Sequence, residues 1–291
     1  MWQAQVTAPG ILAGDDLCYP AWMDDFSVII VAGGSGSRMQ STTKKALLDI
    51  AGAPLVVHSA RAFMGVAGIG EVIVALPADE MDRIAKGRAN AAIADLTDPP
   101  VFVHALKTVG VTRLVVGGRR RQDSVLNGLW ACDARLPYVM VHDAARPFVT
   151  SHEITALMAK TRETGAAILA HPVRDSLKQV EGELVKGSVE RGHLWGAQTP
   201  QAFRREDLMK AFQKHNAQDV TDDAAMAALA GMRCSVVPAS AANFKITTPE
   251  DVEIAEALLA VRSARQGEFR PASAVFRKIP NSETIFDVQP E

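Results

Sequence analysis

The chain of 291 residues is 48% hydrophobic and 22% charged, so it can bury a large core and is unlike a disordered or collagen-like chain. Its 31 basic side chains nearly balance 33 acidic ones, which gives no overall positive field to hold a nucleic acid. The apolar runs are too short to span a membrane, and neither a secretory signal nor a transit peptide is expected. Cys18, Cys132 and Cys234 lack CxxC spacing, which argues against a disulfide framework and favours a cytoplasmic location.

Residues 1–25 show no clear periodicity and are interpreted as an N-terminal extension. From Phe26 onward, short β-branched apolar runs alternate with segments of helical periodicity. This alternation predicts βαβ units and, with right-handed crossovers, a doubly wound, mostly parallel α/β sheet over residues 26–261. The apolar runs begin at Phe26 and recur at 71–76, 112–116, 138–141 and 166–170, and the helical patterns lie at 54–66, 79–96, 121–133 and 151–165.

The rhythm changes at residues 174–190, where apolar and polar residues alternate on both sides of a turn at 181–182. This pattern predicts a two-stranded hairpin. Because a two-stranded ribbon is only marginally stable alone in water, the hairpin is either a flap on its own domain or an arm that packs on a second copy. Residues 262–291 carry no sustained period and are interpreted as a weakly ordered C-terminal tail.

A glycine-rich turn follows the first predicted strand and ends in Arg38. Glycines permit positive φ angles and close backbone approach, so successive N–H groups can surround a phosphate chain. Lys44 and Lys45 follow within seven residues and bring further positive charge. The turn is neither a Walker A loop nor a complete GxGxxG fingerprint. We expect a phosphate site at the turn made of Ala32, Gly33, Gly34, Ser35 and Gly36.

A second polar segment follows the predicted strand at 138–141 and contains Asp143 and Arg146. Since open α/β sheets bind ligands at the carboxyl ends of their strands, these side chains should lie near the glycine-rich turn. Asp143 is suited to hold Mg²⁺ or a ribose hydroxyl, because Mg²⁺ is commonly bound by one or two carboxylates plus substrate phosphates. The alternative is an Asp–Arg pair that braces a turn, and His142 is expected to be structural.

Residues 117–124 again place glycines after a predicted strand, with Ser124 able to face a ligand. The three arginines at 119–121 are interpreted as a solvated turn rather than a nucleic-acid patch, because no aromatic residues accompany them. The histidines form no HExxH motif and GxSxG is absent, so a histidine-zinc enzyme and a serine hydrolase are both unsupported.

Seven blocks of the sequence occur in a characteristic order: AGGSGSRM, GGRRRQDSV, VHDAARPF, PVRDSLK, VERGHLWGAQTPQAF, TDDAA and NFKITTPED. Together they resemble the 2-C-methyl-D-erythritol 4-phosphate cytidylyltransferase family, from about residue 26 to residue 260. The resemblance implies a nucleotide-diphospho-sugar transferase type of α/β fold. It also implies transfer of the cytidylyl group of CTP to methylerythritol phosphate, with release of pyrophosphate, in the non-mevalonate isoprenoid pathway.

The attacking group in that reaction is an ionised phosphate, so no general base is required. The protein must instead align two polyanions and neutralise charge at the α-phosphate. The resemblance therefore implies CTP as a substrate and Mg²⁺ as the cofactor, with no nucleic-acid or membrane partner.

The resemblance also assigns roles by matching position. The turn from Ala32 to Gly36, with Gly118 and Ser124, would bind the cytidine. Arg38 and Lys45 would bind the triphosphate and stabilise the pentacoordinate phosphorus. Asp143 would contact the ribose, the metal or the substrate hydroxyls. Arg146, Thr221 and Lys245 would complete the substrate region, with Thr199 as a weaker candidate, and the catalytic set would be Arg38, Lys45, Arg191 and Lys245.

In the family, the hairpin is an arm that reaches into a partner subunit. The resemblance therefore implies a homodimer with arm exchange, in which Ser176 and Arg191 bind the substrate phosphate in the neighbour's site.

The sequence departs from the family pattern around the active-site lysine, where Lys44-Lys45-Ala46 replaces Pro-Lys-Gln and leaves open which lysine faces the site. A ribitol 5-phosphate cytidylyltransferase is the nearest alternative, although PVRDS and VERGHLW favour methylerythritol phosphate. A non-catalytic nucleotide-binding protein is disfavoured because the charged site residues are all present. No Asp-x-His pair occurs, so the cyclodiphosphate synthase activity that is fused to some relatives is not expected.

Overall fold

The predicted strand at Phe26 is central to the sheet of the computed structural model, which describes residues 24–33 and 44–266. The eight strands of the main sheet are β1 Phe26–Val31, β4 Ile69–Leu76, β5 Asn90–Ala92, β6 Arg113–Val116, β7 Tyr138–Asp143, β8 Ala166–Pro172, β11 Trp195–Arg204 and β12 Ser235–Pro238. Four short strands lie outside it: β2 Asp49–Ile50 pairs with β3 Ala53–Pro54, and β9 Lys178–Glu181 pairs with β10 Leu184–Ser188. The helices are α1 Leu55–Arg61, α2 Ala78–Ala85, α3 Val101–Thr108, α4 Arg121–Ala131, α5 Ser151–Thr164, α6 Arg205–His215, α7 Asp223–Leu229 and α8 Pro249–Gln266.

The main sheet has the strand order β12-β8-β11-β7-β1-β4-β6-β5. Neighbouring strands pair in parallel from β7 through β1 and β4 to β6, and β8 pairs in parallel with β12. Within the described sheet, β11 and the edge strand β5 are antiparallel to their neighbours. The prediction of a mostly parallel α/β sheet is confirmed.

Side chains of β1 alternate between the two faces of the sheet, as the period of a strand requires. Phe26, Val28 and Ile30 join a core packed by α1, α2, α3 and α5, whereas Ile29 joins a second core packed by α4, α6 and α7. Helix α4 packs closely on this second face, because a Cβ at Gly128 of α4 would stand only 2.5 Å from Cγ2 of Ile29 in β1. Helices therefore cover both faces of the sheet, which is the doubly wound arrangement.

The prediction of a helix over residues 79–96 is wrong for the second half of that range. Helix α2 ends at Ala85, because Lys86 and Gly87 both adopt left-handed backbone, with φ of 51° and 83°. The chain then runs back as β5 beside β6. Left-handed residues at a helix end commonly terminate it, and glycine takes this conformation without steric cost.

The predicted hairpin is present as β9 and β10, which turn at Gly182 with a φ of 59°. Its apolar side chains Val180, Leu184 and Val185 are 55%, 67% and 63% exposed. The hairpin thus protrudes from the described domain with its apolar residues uncovered. Among the described helices, none combines the length and apolar character needed to cross a bilayer.

The parallel register brings three predicted site segments to one edge of the sheet. Val31 at the end of β1 pairs with Asp143 at the end of β7 and with Ala75 of β4. The turn after β6 joins them, since the Gly117 N–H donates to the Leu76 carbonyl at 2.6 Å. The carboxyl ends of β1, β6 and β7 therefore surround one region, as the sequence predicts.

Candidate active site

A cavity of about 350 Å³ lies at this edge of the sheet. The turn after β1, the residues around Lys45, the start of α4, the end of β7 and a loop before α8 all contribute to its wall. The lining residues are Val31, Ala32, Gly33, Lys45, Ala46, Arg119, Arg120, Arg121, Ser124, Asp143, Ala144, Ala145 and Lys245. Five cationic side chains and one carboxylate thus line the cavity, which favours an anionic ligand.

Asp143 is the carboxylate of the cavity, and both of its oxygens are paired. Arg121 Nε donates to Oδ1 at 3.0 Å, and Lys245 Nζ donates to Oδ2 at 2.6 Å. Burial alone would raise the pKa of the Asp143 carboxyl, but Arg121 and Lys245 outweigh burial and hold that pKa well below its usual range. Asp143 is therefore ionised and fixed in one orientation at the end of β7.

Arg121 is a site residue that the sequence analysis missed. The arginine run was interpreted as a solvated turn, and that interpretation is wrong for Arg121, whose side chain is only 23% exposed. Its guanidinium bridges Asp143 and the buried Asp223, with Nη2 donating to Asp223 Oδ2 at 2.8 Å. No local sequence pattern indicates these ion pairs, because the two carboxylates lie 22 and 102 residues from Arg121 along the chain.

The turn before α4 places Ser124 in the cavity wall. The Gly118 N–H donates to Ser124 Oγ at 3.0 Å, and a Cβ at Gly118 would stand 2.2 Å from the Cβ of Asp123. Glycine is thus required at position 118 to let the turn close on the helix. Gly33, which also lines the cavity, lies beside this hydroxyl: a Cβ at Gly33 would stand 3.2 Å from Ser124 Oγ.

The structure distinguishes the two adjacent lysines. Lys45 lines the cavity, whereas the ammonium group of Lys44 forms an ion pair with Asp79 in the first turn of α2 and lies 4.0 Å from Glu80. This ion pair lowers the pKa of Asp79 through the hydrogen bond from Lys44. Of the two lysines, Lys45 is accordingly the one that lines the cavity.

Arg146 and Thr199 do not line the cavity but form hydrogen bonds to backbone groups next to it. Arg146 donates to the carbonyls of Asn243 at 2.8 Å and Ala197 at 3.4 Å. The backbone N–H of Asp143 donates to Thr199 Oγ1 at 3.0 Å. Thr199 therefore fixes the backbone of Asp143.

His142 is buried and structural, as expected. It lies 3.1 Å from the Thr199 hydroxyl through Nδ1 and 3.0 Å from the Arg146 carbonyl through Nε2. Because a carbonyl only accepts, Nε2 carries the proton and Nδ1 accepts from Thr199. His142 is thus a neutral imidazole that ties the end of β7 to β11.

Several predicted site residues do not line this cavity. Ser176 and Arg191 are exposed near the hairpin, where the Arg191 guanidinium bonds to the Arg174 carbonyl. Thr221 is exposed and lies just before α7. The predicted residues Gly34, Ser35, Gly36 and Arg38 lie outside the described residues.

The carboxylates of the site do not form a metal cluster by themselves. Over residues 24–33 and 44–266, no three His, Cys, Asp or Glu side chains are grouped so as to hold a metal ion. Mg²⁺ in phosphate-handling enzymes is usually held by one or two carboxylates together with substrate phosphates and water, and Asp143 is a carboxylate of that kind.

An open α/β sheet with a cationic cavity at the carboxyl ends of its strands is typical of enzymes that bind nucleotides and phosphate esters. Comparison with known families and proteins narrows this class. A family model described as 2-C-methyl-D-erythritol 4-phosphate cytidylyltransferase matches residues 26–261.

Curated relatives carry the same description. A 2-C-methyl-D-erythritol 4-phosphate cytidylyltransferase of Halalkalibacterium halodurans is 35% identical over 243 residues, which is 83% of this chain and 100% of the relative. A bifunctional enzyme of Desulfotalea psychrophila is 37% identical over 237 residues, which is 81% of this chain but only 57% of that longer protein. This chain therefore belongs to the 2-C-methyl-D-erythritol 4-phosphate cytidylyltransferase family, and the resemblance seen in the sequence is confirmed.

Solved structures agree with the fold. The 4-diphosphocytidyl-2C-methyl-D-erythritol synthase of Anaerococcus prevotii superposes with a TM-score of 0.67 at 26% identity, covering 83% of this chain and 100% of that one. The 2-C-methyl-D-erythritol 4-phosphate cytidylyltransferase of Thermus thermophilus gives a TM-score of 0.62 at 31% identity, covering 80% and 98%. The predicted nucleotidyltransferase type of α/β fold is confirmed.

Stability should depend on pH through His142. Burial lowers the pKa of His142 to about 4 from an ordinary value of 6.5. Below pH 6.5 the unfolded chain therefore binds a proton that the folded chain does not, and the free energy of unfolding falls as pH decreases towards 4. We expect His142→Asn to remove up to about 1.4 kcal/mol per pH unit of this slope, measured by urea unfolding between pH 6.5 and 5.

The matched control for this measurement is His152→Asn, since His152 is exposed on α5. Its slope should equal that of the native protein. Burial also lowers the pKa of His58, so part of the slope should remain in both variants. An unchanged slope in His142→Asn would contradict the assignment of a buried neutral imidazole.

Proposed function

We propose that this protein transfers the cytidylyl group of CTP to 2-C-methyl-D-erythritol 4-phosphate. A phosphate oxygen of methylerythritol phosphate attacks the α-phosphorus of CTP in line and forms a new phosphorus–oxygen bond. The bond from that phosphorus to the oxygen bridging the β-phosphate breaks, and pyrophosphate leaves. The observation that carries this proposal is the cavity at the strand ends, where cationic side chains outnumber carboxylates five to one.

The residues of the cavity suit a reaction between two polyanions. The attacking phosphate is already ionised, so catalysis requires alignment and stabilisation of charge rather than a base. Lys45 stabilises the charge that develops around the α-phosphorus, together with Arg38. The turn at Gly33 and the Ser124 hydroxyl hold the cytidine, and Lys245, fixed on Asp143, orients the attacking phosphate.

The donor set fits a Mg²⁺ ion that enters with the triphosphate. An ionised carboxylate offers about four lone-pair positions, of which Arg121 and Lys245 take one each on Asp143. Asp143 would hold the ion together with phosphate and water oxygens, and the ion would neutralise charge on the triphosphate. Arg146 and Thr221 would contact the substrate once both substrates are bound.

We further propose a homodimer in which the hairpin β9–β10 exchanges between subunits. Its exposed Val180, Leu184 and Val185 form an uncovered apolar surface, and such surfaces typically mark interfaces. The arm would carry Ser176 and Arg191 into the neighbour's cavity to bind the substrate phosphate. The absence of both residues from the cavity of their own chain supports this arrangement.

A cytoplasmic location suits the widely spaced cysteines.

The activity is tested by pyrophosphate release from purified protein with Mg²⁺. Methylerythritol phosphate is compared with ribitol 5-phosphate and glycerol 3-phosphate, and CTP with ATP, GTP and UTP. We expect turnover with CTP and methylerythritol phosphate alone. Preference for ribitol phosphate would replace the substrate but keep the phosphate chemistry, and no turnover with any pair would favour a non-catalytic protein.

The two lysines should differ in effect. Lys45→Met removes charge from the cavity, and we expect kcat to fall by about 10²–10³-fold, as for other groups that stabilise transition-state charge. Lys44→Met removes only a partly exposed ion pair with Asp79 outside the cavity, so its kcat should stay near the native value. Equal losses in steady-state kcat for both variants would contradict the assignment of Lys45.

Mixed dimers test the arm exchange. Lys45→Met and Arg191→Ala should each be inactive alone, because each site needs Lys45 of one subunit and Arg191 of the other. Random mixing of the two variants should restore about a quarter of the native activity, since half of the dimers are mixed and each has one intact site. A mixture of Lys45→Met and Lys245→Met should stay inactive, because both changes damage the same chain's cavity. Failure of the first mixture to regain activity would contradict arm exchange.

A further inference from the structure

Asp223 is a buried carboxylate that does not line the cavity. It is the first residue of α7, and its side chain is 1% exposed. Its Oδ2 accepts from Arg121 Nη2 at 2.8 Å, while Oδ1 has no hydrogen-bond partner among the described residues. The guanidinium of Arg121 is thus the hydrogen-bond partner that the described residues show for this buried carboxylate.

A role for Asp223 in capping its own helix does not explain this burial. The preceding residue, Asp222, is the N-cap of α7, and its Oδ1 accepts from the Ala225 N–H at 2.9 Å. Burying a carboxylate is unfavourable unless the charge is well paired, so an apolar residue would serve packing at least as well. The retained charge points instead to what Arg121 does.

Arg121 transmits the position of Asp223 to the cavity. Its Nε donates to Asp143 Oδ1 at 3.0 Å, and Asp143 in turn accepts from Lys245 at 2.6 Å. This chain of ion pairs joins four segments that are remote in sequence: the start of α7, the start of α4, the end of β7 and the loop before α8. Asp223 lies at the buried end of the chain, and Lys245 lies at its cavity end.

We propose that Asp223 is a positioning residue, which through Arg121 holds Asp143 and Lys245 in the orientation that the substrate phosphate and hydroxyl groups require. The inference rests on the proposed function and deepens it. Asp223 touches neither substrate. It removes the freedom of Arg121 to turn towards the triphosphate, and so keeps Asp143 paired while the cavity fills.

The guanidinium geometry is essential to this role. Arginine presents Nε and Nη2 in a planar fork, which here reaches two different carboxylates. Lysine carries the same charge as a single point and cannot bridge both in that geometry. The Arg121→Lys variant therefore keeps the positive charge but loses the bridge between the two carboxylates, and so tests the bridge separately from the charge.

The experiment compares Asp223→Asn, Arg121→Lys and the double variant with the native enzyme, by steady-state kinetics on folded protein. We expect kcat to fall about tenfold in each single variant, with the KM for CTP within about twofold, because misorientation of a reacting group costs kcat rather than binding. The double variant should also lose about tenfold rather than about a hundredfold, since residues that act as one unit are not additive.

Asp133→Asn is the matched control. It makes the same chemical change in another arginine-paired aspartate, which follows α4 and bonds Arg135, whose side chain is 88% exposed. Its kcat and KM should equal the native values. If Asp223→Asn fails to fold, the same prediction is carried by Arg121→Lys.

Native kcat in folded Asp223→Asn or in Arg121→Lys would overturn the proposal, as would fully additive losses in the double variant. A rise in KM for CTP without loss of kcat would also overturn it, because that result places Arg121 in substrate binding. These outcomes apply only if the native enzyme is active. If the native enzyme is inactive, the proposed function is contradicted rather than the role of Asp223, so the two hypotheses fail in different ways.

Discussion

The carboxylate of Asp143 is the constraint on which the site depends. A buried charge is tolerated only when it is paired and hydrogen-bonded, and the Asp143 carboxylate meets this condition through Arg121 and Lys245. These partners come from different parts of the chain. The requirement to pair one carboxylate therefore fixes the start of α4 and the loop before α8 around the end of β7, while the Thr199 hydroxyl of β11 holds the Asp143 backbone N–H.

The sheet explains why that carboxylate faces a basic cavity. Parallel pairing of β1 with β7 sets Asp143 beside Val31, so Ala32 and Gly33, which follow β1, line the same cavity as the paired carboxylate. Lys45 also lines this cavity, whereas Lys44 is held away by its ion pair with Asp79. The resulting cavity combines a fixed anion with surrounding cations. Such an arrangement is preorganised to receive phosphate groups without needing a proton acceptor.

The fold was predictable where a buried strand leaves a plain apolar run. The segments at Phe26 and at 138–141 lie in strands whose residues are almost wholly buried, and both appear as expected. The apolar periodicity did not predict β11, because polar residues interrupt this strand: Gln198, Thr199 and Gln201 are buried but hydrogen-bonded within the domain. The site showed the same division. Asp143 and Ser124 come just after a strand or a glycine turn, so the sequence pointed to them and both line the cavity, whereas the choice between Lys44 and Lys45 and the ion pair of Arg121 with Asp223 are visible only in the fold.

A crystal structure of the protein with CTP and Mg²⁺ is the most direct test of this site. We expect triphosphate oxygens about 3 Å from Lys45 Nζ, the cytidine against Gly33 and Ser124, and an Arg121–Asp143 ion pair that remains intact. A nucleotide bound outside this cavity would contradict the proposed role of the cavity, as would a triphosphate that displaces Arg121 from Asp143.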